Sequence, residues 1–431
     1  MRAPQLLRNA LLWMMILAVA ISASLWSGLQ LPVGEQTALA QSGGFTGQVT
    51  DLLTGQPISA ALVSAGNAWA ATDANGRYTL RLPPAMYEVG VRAEGYIGMS
   101  KTRQMAHQVS IQPLDFEMVV ESPSAEQRRE LDKLFVPSGG PELSADELDS
   151  LRMASLTAAA VSHLPSTIRV LMPDGIVVVM PIDEYVKGVV PREMPPYWPA
   201  EALKAQAVAA RSYAATSQRH LHEGADVCTT QHCQVWGPVH YETTDRAVDQ
   251  THNVAATYAG NIISAFYFGH CDGRTRNSED VWTVPLPYLR SVECPIAYPG
   301  LFGHGVGMCQ EGARVLAEQG SGYADILMHY YTDVQVTRLP VHTLTGGRVL
   351  PQEGDTVTRF TFEVSYASHD PPIAAHLYID GQTYNMTAAG PAGQGGTLYR
   401  YRTALPAGTH DYAFHFENGY DPPLDWPASG T

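Results

Sequence analysis

The turn "PREMPPYWP" (residues 191–199) holds a single acid, Glu193, directly ahead of an alanine-rich stretch. Met194, Pro195, Pro196, Tyr197 and Trp198 offer an apolar wall on one side. Such a wall keeps a carboxyl group protonated near neutral pH and fits it for general acid/base work. Arg192 opposes this unless its side chain turns away. The same residues permit a second reading, in which Glu193 is a negative charge at the start of the helix that stabilises its dipole. Glu184 and Glu201 read as surface or dipole charges. Asp272, Glu279 and Asp280 are where a second carboxylate would be sought if water were the nucleophile.

A second reactive stretch is "HLHEGADVCTTQHCQVW" (220–236). His222, Cys228, His232 and Cys233 supply two imidazoles and two thiolates, a set suited to tetrahedral zinc in a structural role. His232 and Cys233 are adjacent, so they point apart in an extended chain and can share an ion only across a tight turn. A Cys228–Cys233 disulfide pinning the same loop is the competing reading.

These groups need elements to position them. Pro199 stands where the next helix begins, at a position that needs no N–H. Ala202, Ala205, Ala207, Ala209, Ala210, Ala214 and Ala215 put small residues on several faces, which predicts a centrally buried helix. Ahead of it "TIRVLM" and "IVVVMPI" flank Pro173-Asp174-Gly175 as a hairpin. Behind it a helix is expected from about Asp245, then strands in "ATYAGNIISAFYFGH", and a last helix to about Tyr331. From Phe45 to about Val120 short alternating strands such as "GRYTLRL" are broken by turn residues. There Asp73 and Asn75 are either calcium ligands or a turn before a strand, the turn being the simpler role. Ser124-x-x-Gln127 and Ser144-x-x-Glu147 start two short linker helices with capping boxes. Beyond Thr356 the alternation resumes, with Phe360, Phe362, Val364 and Tyr366 on one face.

The 431-residue chain is long enough for several domains, and 45% hydrophobic with 16% charged residues is a globular composition. A formal charge of −15 repels nucleic acid and anionic membrane surfaces. Arg2 and Arg8 flank the apolar run Ala10–Trp26, and Ala38-Leu39-Ala40 follows as a cleavage candidate. This predicts export, with membrane contact only through that N-terminal segment, as a cleaved signal or as an anchor. Five cysteines form an odd set in an oxidising compartment, so at least one thiol is free, metal-bound or intermolecular. Cys271 and Cys294 are a candidate pair, which leaves Cys309 free and buried.

The middle of the chain resembles the SpoIID/LytB family, named for stage II sporulation protein D. The motifs that carry this are "EYVKGVVPREMPPYWPAEALKAQAVAARSYA", "YFGHCDGRTRNSEDVW", "LPYLRSV" and "GHGVGMCQEGARVLAEQGSGYADILMHYY", some 170 residues together. The N-terminal strands, read as "GxVtDxxTGqPisxAxV…TDxNGrYtLrLPpgxYxVxVrAeGY", resemble a carboxypeptidase regulatory-like domain. The expected fold is therefore multidomain: an α+β SpoIID-like domain flanked by two all-β sandwiches, transthyretin-like before it and immunoglobulin-like after it. The expected division is a signal or anchor at 1–40, a sandwich at 43–120, a helical linker at 121–164, the SpoIID-like domain at 165–340 and a sandwich at 350–431.

The resemblance implies that Glu193 is the catalytic glutamate of a peptidoglycan lytic transglycosylase. Such an enzyme cleaves between N-acetylmuramic acid and N-acetylglucosamine, giving 1,6-anhydro ends, and one carboxyl suffices because the sugar's own 6-hydroxyl attacks. The alternative is a wall-binding protein without catalysis that localises or stimulates a cell-wall amidase. Within "GHGVGMCQEG" (303–312) there is no P-loop lysine and no Rossmann spacing. Its glycines allow close approach to another backbone or a glycan, which makes His304 and Gln310 sugar-contact candidates. A structural histidine is the other reading of His304. Some relatives bind zinc in the segment of His222–Cys233, and no organic cofactor is implied. The family usually shows serine in place of Cys309 and small residues in place of His270-Cys271.

Overall fold

The computed structural model describes residues 43–105, 110–135, 139–141, 163–339, 342–368, 371–392, 396–418 and 423–427. The signal or anchor segment and the Ser144–Glu147 capping box lie outside these residues.

Alternation at period two builds the β-rich N-terminal region. Strand Arg77–Leu82 exposes and buries its residues in turn, so Tyr78, Leu80 and Leu82 face a common core. One sheet joins Arg77–Leu82, Gly43–Asp51 and Ile111–Pro113, with Phe116–Met118 also on Gly43–Asp51. The other runs Ala68–Ala71, Leu62–Ala65, Met86–Arg92 and Met99–Gln104. Phe45, Val49, Val63, Val89 and Phe116 fill the space between them. Asp73 makes a turn: its Oδ1 accepts from the N–H groups of Asn75 (2.9 Å) and Arg77 (2.8 Å).

Two elements from outside complete this core. Helix α1 (Ala125–Leu134) starts at the capping box of Ser124 and Gln127 and contributes Leu131. Strand Val239–Tyr241, from the middle of the chain, pairs antiparallel with Met99–Gln104 and contributes Tyr241. The middle region is therefore docked on the N-terminal one through shared main-chain hydrogen bonds and a shared core.

The middle region is mixed α/β. The expected hairpin is present as Thr167–Leu171 and Val177–Pro181, and a third strand, Val227–Cys228, adds in parallel to the first. Helices α2 (Ile182–Glu193), α3 (Ala200–Thr216) and α4 (Glu242–Gln250) follow. Then come α5 (Ser278–Trp282), α6 (Gln310–Glu318) and α7 (Tyr323–Tyr330). The single last helix expected to Tyr331 is in fact two, α6 and α7, broken at Gly320 with φ of 96°. Helix α3 is the central element, with Ala202, Ala205, Ala207, Ala209, Ala210 and Ala214 all buried. Small side chains on every face let α2, α4, α6, α7 and strand Val254–Tyr258 approach it together.

The C-terminal region has two four-stranded sheets whose inner faces share one core of Phe360, Phe362, Val364, Tyr366, Leu377, Ile379, Phe414 and Phe416. It begins earlier than the expected boundary at 350. Strand His342–Leu350 pairs with Phe360–Ser368 and belongs to this region. Among the described residues no helix is long and apolar enough to cross a membrane.

Candidate functional site

Glu193 is the last residue of α2, with Met194 as its C-cap, and only 1% of its surface is exposed. The helix-dipole reading from sequence had it at the start of the following helix. Its place at a helix C-terminus reverses that electrostatics, because the carbonyl end of a helix repels an anion. Met194, Pro195, Pro196 and Trp198 are buried, while Arg192 is exposed.

Three helices meet at this carboxyl. Gln310, the first residue of α6, donates from Nε2 toward the Glu193 main-chain oxygen (3.2 Å) and toward Glu193 Oε2 (3.3 Å). The same nitrogen lies 3.3 Å from Oε1 of Gln206 on α3. Both glutamines are fully buried, and Gln206 Nε2 and Gln310 Oε1 are left without hydrogen-bond partners. An orphaned donor and an orphaned acceptor beside a carboxyl are costly in a folded core and common at functional sites. Tyr267 completes the cluster. Burial first, and then the nearby Glu193, hold its phenol well above the ordinary range, and Gln234 Nε2 donates to its hydroxyl at 2.9 Å. Gln206 was missed in the sequence, although it is the one amide inside the alanine-rich helix.

His304 lies in the glycine-rich loop against Phe266, Phe268 and Trp282, with ring centroids 6.0, 5.8 and 4.8 Å away. Burial among these rings pushes its pKa down to about 3, so the imidazole is neutral. The Val306 N–H donates to Nδ1 at 3.1 Å, which leaves the ring proton on Nε2. Gly303 shows why this loop is glycine-rich: at φ of 100°, a Cβ would sit 2.2 Å from the Gly139 carbonyl oxygen. The neighbouring Gly140 is packed as closely, its hypothetical Cβ falling 1.7 Å from the Tyr267 carbonyl oxygen. The close approach seen is to the linker's backbone.

The places considered for a second carboxylate are engaged elsewhere. Asp272 is bidentate to Arg276 (2.7 and 2.9 Å), which holds its carboxyl below the ordinary range. Arg290 does the same to Glu279 (2.6 Å to each oxygen). Asp280 accepts from Asn277 at 2.7 Å. Glu201 sits in the first turn of α3 and accepts from the Tyr323 N–H at 2.9 Å. Glu184 pairs with Lys187 at 3.2 Å on the surface.

The thiol–imidazole loop differs from the expectation in one ligand. His220, Cys228, His232 and Cys233 place one ligand atom each within 4.8 Å of one another. His222 points to solvent and faces Glu223 at 3.0 Å. The tight turn that adjacent ligands require is present, the Cys233 N–H donating to the Thr230 carbonyl at 3.0 Å. Two imidazoles and two thiols at these separations fit tetrahedral zinc. All five cysteines are free thiols, so neither the Cys228–Cys233 nor the Cys271–Cys294 bridge is made.

The site can be compared with known proteins. Residues 174–258 match the family model for stage II sporulation protein, SpoIID, and this span contains Glu193 and the zinc-type cluster. The chain carries a SpoIID domain. Ahead of it, residues 44–119 match the carboxypeptidase regulatory-like domain. An uncharacterised protein of Brachyspira hyodysenteriae is 42% identical over 118 residues, 26% of this chain and 31% of that one. Stage II sporulation protein D of Bacillus amyloliquefaciens is 28% identical over 256 residues, 37% of this chain and 74% of that one. The amidase enhancer of Bacillus subtilis is 42% identical over 105 residues, 24% of this chain and 14% of that one. The chain thus spans under a third of the first of these relatives and about three quarters of the second.

Proposed function

We propose that the SpoIID domain is an exported peptidoglycan lytic transglycosylase with Glu193 as its only acid/base. The observation that carries this reading is the buried carboxyl of Glu193, in contact with Gln310, with Asp272, Glu279 and Asp280 each engaged by a partner of its own. Protonated Glu193 gives its proton to the glycosidic oxygen as the muramic-acid C1–O bond breaks. The resulting carboxylate then takes the proton of the 6-hydroxyl as that oxygen closes on C1. Every proton is accounted for without a water nucleophile. Gln206 Nε2 and Gln310 Oε1 offer a donor and an acceptor to sugar hydroxyls, and neutral His304 offers its Nε2 proton. His220, Cys228, His232 and Cys233 would hold zinc in a structural part, tying the 220–233 loop to strand Thr167–Leu171 through Cys228.

The test is product analysis. Purified glycan strands incubated with the full chain should yield 1,6-anhydromuramic ends, one water lighter than hydrolysed ends by mass spectrometry. Glu193→Gln should lower turnover by roughly 10²–10⁴-fold with folding unchanged. Reducing ends, or a fully active Glu193→Gln variant, would sink the assignment.

A second reading has its own support. Glu193 is 1% exposed, and one similar protein is named an amidase enhancer. On that reading the domain binds cell wall and raises the activity of a cell-wall amidase without cleaving glycan. Stimulation of amidase turnover that survives Glu193→Gln would favour it.

A further inference from the structure

The three remaining cysteines converge from three elements. Cys271 lies on strand His270–Arg274, Cys294 on strand Glu293–Phe302, and Cys309 caps the N-terminus of α6. Their sulfur atoms lie within 4.8 Å of one another, with Cys271 and Cys309 fully buried and Cys294 partly so. We infer that these three thiols form a second metal site, one that takes a thiophilic d10 cation, Cu+ or Zn2+.

The surroundings are polar: Cys271 Sγ donates to the Ile296 carbonyl at 3.7 Å and Cys309 Sγ to the Gly269 carbonyl at 3.9 Å, so both are thiols until an ion binds. The Gly312 N–H donates to Cys309 Sγ at 3.4 Å, and the Tyr330 hydroxyl lies 3.2 Å from Cys294 Sγ. The Gly312 N–H aimed at sulfur is the kind of donor an anionic ligand set needs from its outer shell. Cys309 also sits at the positive end of the nine-residue α6, which offsets part of the negative charge left after binding. Gly312 keeps the space open: a Cβ there would fall 2.0 Å from the Tyr330 hydroxyl and 2.4 Å from Cys294 Sγ.

A disulfide is the competing use of these residues, but it joins two sulfurs and strands the third. A metal engages all three, with three protons released to solvent per ion bound. Soft thiolate ligands select Cu+ or Zn2+ among the common cations. Cu+ is satisfied by the three sulfurs in a plane, and Zn2+ completes a tetrahedron with one oxygen, for which the Tyr330 hydroxyl is at hand. The five cysteines then divide without remainder, two in the His220–Cys233 cluster and three here. Gln310 follows Cys309, so an ion at this site would also fix the start of α6, whose Gln310 contacts Glu193.

The experiment uses full-length protein, reduced and stripped of metal, then loaded with Zn2+ or with Cu+ under anaerobic conditions and desalted. The variant C228S/C233S, which lacks the thiols of the first cluster, should retain about one ion per chain. Adding C294S to it should remove that ion. Loading C228S/C233S with Co2+ should give sulfur-to-cobalt charge-transfer absorption that C294S abolishes. Near-UV circular dichroism checks folding in each case, and C294S alone should bind one ion fewer than wild type. Either of two results overturns the site: C228S/C233S binding neither cation while folded, or peptide mapping of the exported protein that finds two of the three cysteines disulfide-linked.

Discussion

The side-chain nitrogen of Gln310 lies 3.2 Å from the main-chain oxygen of Glu193 and 3.3 Å from its carboxyl Oε2. One amide therefore caps the end of α2 and positions the acid at once. Gln310→Ala should uncouple these roles from the presence of the acid. Loss of a partner to a buried polar group costs roughly 1–3 kcal/mol. Urea unfolding should show that loss, and turnover on glycan strands should fall with Glu193 intact. Unchanged stability and turnover would mean that the contact does nothing.

Protonation of His304 ties stability to pH. Its folded-state pKa of about 3 is below the 6.5 of an unperturbed histidine. Above pH 6.5 the ring is neutral in both states and contributes no pH dependence. As pH falls from 6.5 toward 3 the unfolded chain takes up a proton that the folded one refuses, so stability drops by up to about 1.4 kcal/mol per pH unit. Thermal melts from pH 7 to pH 4 should fall more steeply for wild type than for His304→Phe. Parallel curves would show that the ring is not held neutral.

Arg211 is a structural clamp. It is fully buried, donates from Nε to Asp183 at 2.7 Å, and reaches the Val254 and Val248 carbonyls at 3.2 Å each. It thereby joins α2, α3, α4 and strand Val254–Tyr258. Arg211→Met leaves Asp183 without its guanidinium partner, and breaking such a pair costs on the order of 3–5 kcal/mol. Chemical denaturation should report a loss in that range. A change below 1 kcal/mol would show that Asp183 is satisfied by His252, 2.6 Å away.

Two histidines separate the two ligand sets proposed for zinc. His220→Ala should weaken zinc retention at the 220–233 cluster, whereas His222→Ala should leave it intact, as judged by competition with a chromogenic chelator. The opposite order would restore the assignment made from spacing.

The N-terminal and C-terminal strands were legible because period-two burial needs only the local chain: Tyr78, Leu80 and Leu82, or Phe360, Phe362 and Val364, alternate whatever else is present. The alanine content of α3 likewise announced a central helix before any neighbour was known. Glu193 stood out as one acid among prolines and aromatics. What surrounds it was not legible, since Gln206 and Gln310 are 104 residues apart and meet only where α3 and α6 cross.

The tertiary structure also decided matters that spacing misjudged. Spacing put Glu193 ahead of a helix, but the chain stays helical through Pro191 because a proline at 191 forgoes only the bond to residue 187 and the last turn closes on Val190. Spacing chose His222 from two histidines two residues apart, and the 3-10 turn at Leu221–Glu223 sent one inward and the other to solvent. The three thiols at 271, 294 and 309 carry no local pattern at all. Side-chain chemistry and periodicity are properties of the sequence alone, whereas which groups share a site depends on contacts between segments far apart in the chain, and these exist only after folding.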